Sequence, residues 1–201
     1  MKNVITLITL ALLSAGTLFA QPRTPYRPNT QRQNQFMMNP FYFFDGTFML
    51  TYERLFPTGS LRITPSITLQ NVNNGNFDQR EGWGLDFGYK FFLSPPKRVN
   101  LYMGPYALYR KLSVGGNHYI DDNGYAGYRY RTDVYDILGL GVDAGIKFII
   151  GGRIVIDLSL GGGVRYPYLN GKTFNSTADD IFDVDYKGVV PRGNFSIGIA
   201  F

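Results

Sequence analysis

The sequence predicts an all-β fold, an eight-stranded antiparallel up-and-down transmembrane β-barrel, and three observations lead there. Segments of apolar/polar alternation recur along the 201 residues and outrun the roughly five or six residues of an ordinary globular strand. The face opposite the large apolar residues carries charges among Gly, Ser and Thr. A barrel in lipid arranges its residues this way, apolar outward and polar into the lumen, whereas a soluble sandwich hides its apolar faces between two sheets. Seven such strands count back from Phe201, and the even number that bacterial single-chain barrels require calls for an eighth, supplied ahead of Asp45-Gly46.

Residues 1–20, "MKNVITLITLALLSAGTLFA", set Lys2 ahead of an apolar run and small residues up to Ala20. This is the layout of a secretory signal peptide, and the run falls short of the ~20 apolar residues of a spanning helix. Residues 21–35, "QPRTPYRPNTQRQNQ", are rich in Pro, Gln and Asn and carry Arg23, Arg27 and Arg32. They hold too little apolar surface to fold alone and read as a flexible periplasmic tail.

The barrel domain is expected over 36–201. Its first strand is predicted at 36–44, turned by Asp45-Gly46 as a two-residue hairpin into 47–55. "LRITPSITLQ" gives 60–70, with Leu61, Ile63, Ile67 and Leu69 on one face. "GWGLDFGYKFFL" gives 82–93, and "LYMGPYALYRK" lies within 99–113. "VYDILGLGVDAGIKFII" and "IVIDLSLGGGVRYPY" supply 132–150 and 153–168. The last strand, 187–201, ends on "NFSIGIAF", with Phe195, Ile197, Ile199 and Phe201 on one face. Short connections at 56–60, 94–98 and 151–152 alternate with long ones at 71–81, 114–131 and 169–186. Short periplasmic turns and longer external loops are the usual asymmetry, which would put both termini in the periplasm.

Composition agrees and excludes several chemistries. Gly is high at 24, Tyr and Phe number 15 and 16, and charged residues are only 17%. With no Cys and one His, thiol nucleophiles, disulfides, a lipidated cysteine and multi-histidine metal sites are excluded, and no cofactor is expected. The formal charge is +5, and the tail carries much of it, so the body gives no support to nucleic-acid binding. Trp83, Tyr109, Tyr166, Tyr168 and Phe201 stand near the ends of apolar stripes, as interfacial aromatic girdles do.

The polar face supplies an interior network: Glu53, Asp86, Asp143 and Asp157 against Arg62, Lys90, Arg110, Lys147, Arg165 and Arg192. Eight strands enclose a lumen that side chains just fill, so these charges must pair, and a wide aqueous channel is disfavoured.

"NPFYFFDGTFMLTYERLFPTGSLRI", with Tyr52-Glu53-Arg54, and "LYMGPYALYRK" resemble segments of small outer-membrane β-barrels of Gram-negative bacteria. The closing aromatic resembles the carboxy-terminal signal read by the barrel-assembly machinery, which implies a biogenesis role for Phe201. The resemblance carries over no catalytic position.

Three loop features bear on function. His118, with Ser113, Asp121 and Asp122 nearby in sequence, is the one base available to a lipid A-modifying enzyme; the same stretch also reads as a protruding hairpin. Asp179, Asp180, Asp183 and Asp185 could bind a divalent cation, but their spacing is not that of an EF-hand loop and a solvated acidic loop is the better account, so no metal site is expected. Tyr119, Tyr125, Tyr128, Arg129, Tyr130 and Arg131 form an aromatic and basic patch suited to contacts with a partner or ligand. The expected role is that of a non-enzymatic structural or accessory component of the outer membrane. Its expected partners are membrane lipid, lipopolysaccharide, the assembly machinery and an outer-membrane protein complex. The alternatives are a lipid-modifying enzyme on the same barrel and a narrow pore.

Overall fold

The computed structural model describes residues 32–72, 78–93, 98–122, 125–170 and 184–201. The segment read as a signal peptide and nearly all of that read as a tail lie outside the described residues. Eight antiparallel strands close in sequence order: β1 (Asn34–Met38), β2 (Thr47–Leu55), β3 (Gly59–Val72), β4 (Asp78–Phe92), β5 (Val99–Asp122), β6 (Tyr125–Ile150), β7 (Ile154–Leu169) and β8 (Gly188–Ala200). Met37 opposite Gly198 is one rung of the closing seam between β1 and β8. Reciprocal bonds finish the seam, from Asn34 N–H to Phe201 O (3.2 Å) and from Phe201 N–H to Asn34 O (2.9 Å).

The alternation read from sequence becomes two surfaces. Phe87, Leu140, Leu160 and Ile199 point outward and are exposed, Leu160 at 75%. In water, a continuous apolar belt of this extent would drive aggregation; in a bilayer it is the required surface. Trp83 and Tyr109 meet edge-on at 5.3 Å toward one end of this belt. Phe36 stacks on Phe201 at 5.3 Å and meets Tyr52 at 5.4 Å toward the other, where Asn34 and Phe201 pair. No described helix is long and apolar enough to cross a membrane.

The structure corrects the predicted boundaries in four places. The first strand is not 36–44. It stops at Met38, and Pro40–Asp45 form a 3-10 helix. The Asn39 side chain caps it by accepting from Phe41 N–H at 3.1 Å, while Pro40 has no N–H to offer a strand ladder. Gly46, at φ 62°, is the left-handed C-cap rather than half of a two-residue hairpin turn. The same strand begins two residues early, taking Asn34 and Gln35 from the stretch read as tail, because Gln35 turns its amide inward onto Lys147. β4 starts at Asp78 rather than 82. Finally, of the two readings of 114–131, a long connection and a protruding hairpin, the hairpin holds: β5 runs to Asp122 and β6 starts at Tyr125, so the pair forms a ribbon that extends well beyond its neighbours.

Large side chains fit the lumen because facing positions are glycine. A Cβ at Gly145 would meet the Leu158 carbonyl and lie 2.6 Å from the Tyr102 hydroxyl. Gly145→Ala should therefore destabilise the barrel by ~1–3 kcal/mol through overpacking. The check is the temperature at which the folded band on an unboiled detergent gel converts to the unfolded one. An unchanged transition would show that the Tyr102 ring has room to move aside.

Candidate functional site

The lumen is where the structure concentrates charge. Alternation turns Glu53 of β2, Lys90 of β4, Lys147 of β6 and Asp157 of β7 inward, and the stagger of the strands brings these four to one level near the end where Asn34 and Phe201 lie. There Lys90 Nζ donates to Glu53 Oε2 (2.8 Å) and Asp157 Oδ2 (2.5 Å). Lys147 Nζ donates to Glu53 Oε1 and to Gln35 Oε1 (3.1 Å), and lies 3.5 Å from Asp157 Oδ2. The Tyr102 hydroxyl donates to Asp157 Oδ1, and its ring lies beneath Lys90 at 4.4 Å from Nζ to the centroid. The side chains of Glu53, Lys147 and Asp157 have no solvent exposure.

One level up, Arg62 bonds Asp143 (3.0 Å), and Arg192 bonds Asp86 (2.5 Å) while lying over the Tyr106 ring at 4.4 Å. Four carboxylates and four cations thus occupy two tiers and cancel. Apart from the Lys147–Asp157 contact between register partners on β6 and β7, these ion pairs join strands that are not neighbours, so the network closes the passage as well as neutralising it.

Of the ten residues expected in the network, Arg110 and Arg165 stand beyond these tiers, toward the far end. They line a cavity of about 380 Å³ with Arg192 and a residue the sequence reading missed, Arg80. Arg80 was assigned to a loop, but in β4 it falls two positions before Gly82 and continues the inward series 82, 84, 86. Extending the alternation by one step would have found it. Arg165 Nε donates to Tyr186 O at 3.0 Å.

The hairpin candidates are placed by backbone register. Tyr119 sits opposite Tyr128, Asn117 opposite Tyr130, Asp122 opposite Tyr125, His118 opposite Arg129 and Gly116 opposite Arg131. Tyr119, Tyr125, Tyr128, Arg129, Tyr130 and Arg131 are therefore brought together on one two-stranded ribbon. Ser113 and His118 are five residues apart on extended β5, roughly 17 Å, so that strand does not assemble a nucleophile–base pair from them. Asp179, Asp180 and Asp183 lie outside the described residues. Asp185 is half-buried ahead of β8. Among the described residues no group of three or more His, Asp or Glu is placed to hold a metal ion.

A closed ring of eight antiparallel strands, apolar outside and ion-paired within, defines a transmembrane β-barrel with a side-chain-filled lumen. No protein-family profile and no curated protein sequence matches the chain. Among solved structures it is similar to Neisserial surface protein A (14% identity, TM-score 0.42, 83% of this chain and 91% of that one). It is also similar to the N-terminal β-barrel domain of Pseudomonas aeruginosa OprF (12% identity, TM-score 0.38, 84% and 95%).

Removing one partner of the buried tier strands a charge in the lumen. Lys147→Met should cost about 3–5 kcal/mol, and adding Glu53→Gln should recover much of it, because Glu53 is the carboxylate left uncompensated. Urea unfolding in lipid vesicles, followed by tryptophan fluorescence of Trp83, measures both. Equal stability of the single variant and the parent would mean the tier contributes nothing.

Proposed function

We propose that this chain is an outer-membrane β-barrel acting as a non-enzymatic structural or accessory component. It would sit with both termini in the periplasm and the β5–β6 ribbon outside the cell. One observation carries the reading: the two charge tiers fill the lumen from wall to wall with paired, buried side chains. A barrel plugged in this way is suited to holding a surface in the membrane rather than conducting through it. Its lipid-facing belt meets membrane lipid and the adjoining lipopolysaccharide. The ribbon carrying Tyr119, Tyr125, Tyr128, Arg129, Tyr130 and Arg131 offers residue types enriched at protein interfaces, so a companion in an outer-membrane complex would dock there. Phe201, at the seam, would present the closing aromatic to the assembly machinery before the ring shuts.

Reconstitution in planar bilayers checks the plug. The parent should be silent, and stepwise conductance would replace this reading with the narrow pore. Lipid A mass spectra should be identical in cells carrying the parent and His118→Ala; a lost modification would make the chain an enzyme. Crosslinking from Tyr125 and Tyr128 in intact membranes should capture a stoichiometric companion. Capture of the barrel alone would restrict its role to that of a solitary membrane component.

A further inference from the structure

We infer that the far-end cavity is a binding site for a multi-oxygen anion of the phosphate class. Below the cavity the lumen is electrically closed, since Lys90, Lys147, Arg62 and Arg192 are matched by Glu53, Asp157, Asp143 and Asp86. Above it the charges of the described lining are mainly cationic. Four guanidinium groups line the cavity, from Arg80 on β4, Arg110 on β5, Arg165 on β7 and Arg192 on β8, with Asp45 the one carboxylate in the lining. Asp45 is exposed at the rim and accepts a long bond from Gln70 (3.4 Å). Asp86, just beneath, is committed to Arg192. Asp133, on the same rung as Arg80 through Val114, is not part of the lining.

The donors are set up to receive something. Arg80 Nε, Arg110 Nε and Arg192 Nη1 are buried and have no hydrogen-bond partner among the described residues. The Arg192 side chain is 10% exposed and fixed by its bond to Asp86 and its place over Tyr106, so its remaining N–H groups are held in position. A buried guanidinium N–H without an acceptor is costly, and several sharing one cavity imply an acceptor shared between them. Guanidinium forks match the oxygens of phosphate better than a single carboxylate could, and the volume of about 380 Å³ is in the range of small-ligand sites. Tyr106, Tyr42 and Thr68 line the same space.

Two sources share this chemistry, a free phosphate entering at the mouth and a phosphorylated lipid headgroup entering from the bilayer. The experiment titrates inorganic phosphate into the full chain in zwitterionic detergent and reads heat. Binding should be saturable. It should weaken by about a hundredfold in Arg80→Gln/Arg110→Gln, about tenfold per guanidinium removed, with the folded gel band retained. Arg54→Gln, an exposed guanidinium on the outer face, should bind as the parent does. Adding phosphatidic acid to the micelle separates the sources. Displacement of phosphate supports the site with a headgroup as ligand, and undisturbed phosphate binding supports it with a soluble anion. Saturable binding to neither probe, or binding that survives in the double variant, overturns the proposal.

Discussion

In the core of a bilayer no water completes an unsatisfied peptide group, so this chain's fold depends on β1 closing against β8. The seam is short. β1 meets β8 from Gln35 opposite Ala200 to Met38 opposite Ile197, while β8 follows β7 all the way to Gly188 opposite Arg165. Beyond Met38 the 3-10 helix takes over the wall. Asn39 Nδ2 donates to Asn194 Oδ1 at 2.6 Å, and Phe41 meets the Phe195 ring at 5.2 Å. Pro40, two residues past the last ladder position, makes the change unavoidable, because a continued strand would leave a missing donor at the seam.

Once the ring is closed, its lumen poses the opposite problem. Inward residues are cut off from bulk water and cannot all be apolar, since an apolar interior would favour any register that buries the same number of side chains. Charges remove that degeneracy. A one-residue slip of β2, β4, β6 or β7 would turn Glu53, Lys90, Lys147 or Asp157 out into lipid and break bonds on two other strands. The tier therefore specifies register as much as it stabilises. Tyr102 and Tyr106 support it by laying their rings beneath Lys90 and Arg192.

How much of this could be read from sequence follows from the same physics. Where one face meets lipid and the other the lumen, alternation has full contrast, and the strands, their inward residues and the even count were legible. Legibility failed where the contrast fades. The β5–β6 ribbon extends past the apolar belt, so its sequence reads as loop and as hairpin at once, and the register decides for the hairpin. At the start of β4, Arg80 follows a polar stretch and gives no apolar stripe to mark the strand. The 3-10 helix was hidden because "NPFYFFDG" is as apolar as a strand, and Asn39, Pro40 and Gly46 mark it only as caps. The pairings inside the lumen were out of reach for another reason. Lys147 and Glu53 are 94 residues apart in sequence, and their meeting depends on the stagger accumulated across the intervening strands.

The charge order along the lumen is then informative in itself. Folding accounts for the lower tiers, where every cation has a carboxylate and every bond ties one strand to another. It does not account for Arg80 and Arg110. Their neighbours Leu112 and Ile137 are buried and apolar, and a longer aliphatic side chain at either position would fill the space without three orphaned N–H groups among the cavity's arginines. Keeping guanidinium there costs desolvation and like-charge repulsion, and no ion pair in the described chain offsets it at those two residues. A barrel that needed only to fold would have ended its charged interior at Asp86. Extending it outward through Arg80 and Arg110 makes sense if the compensating charge for those two arrives from outside the chain.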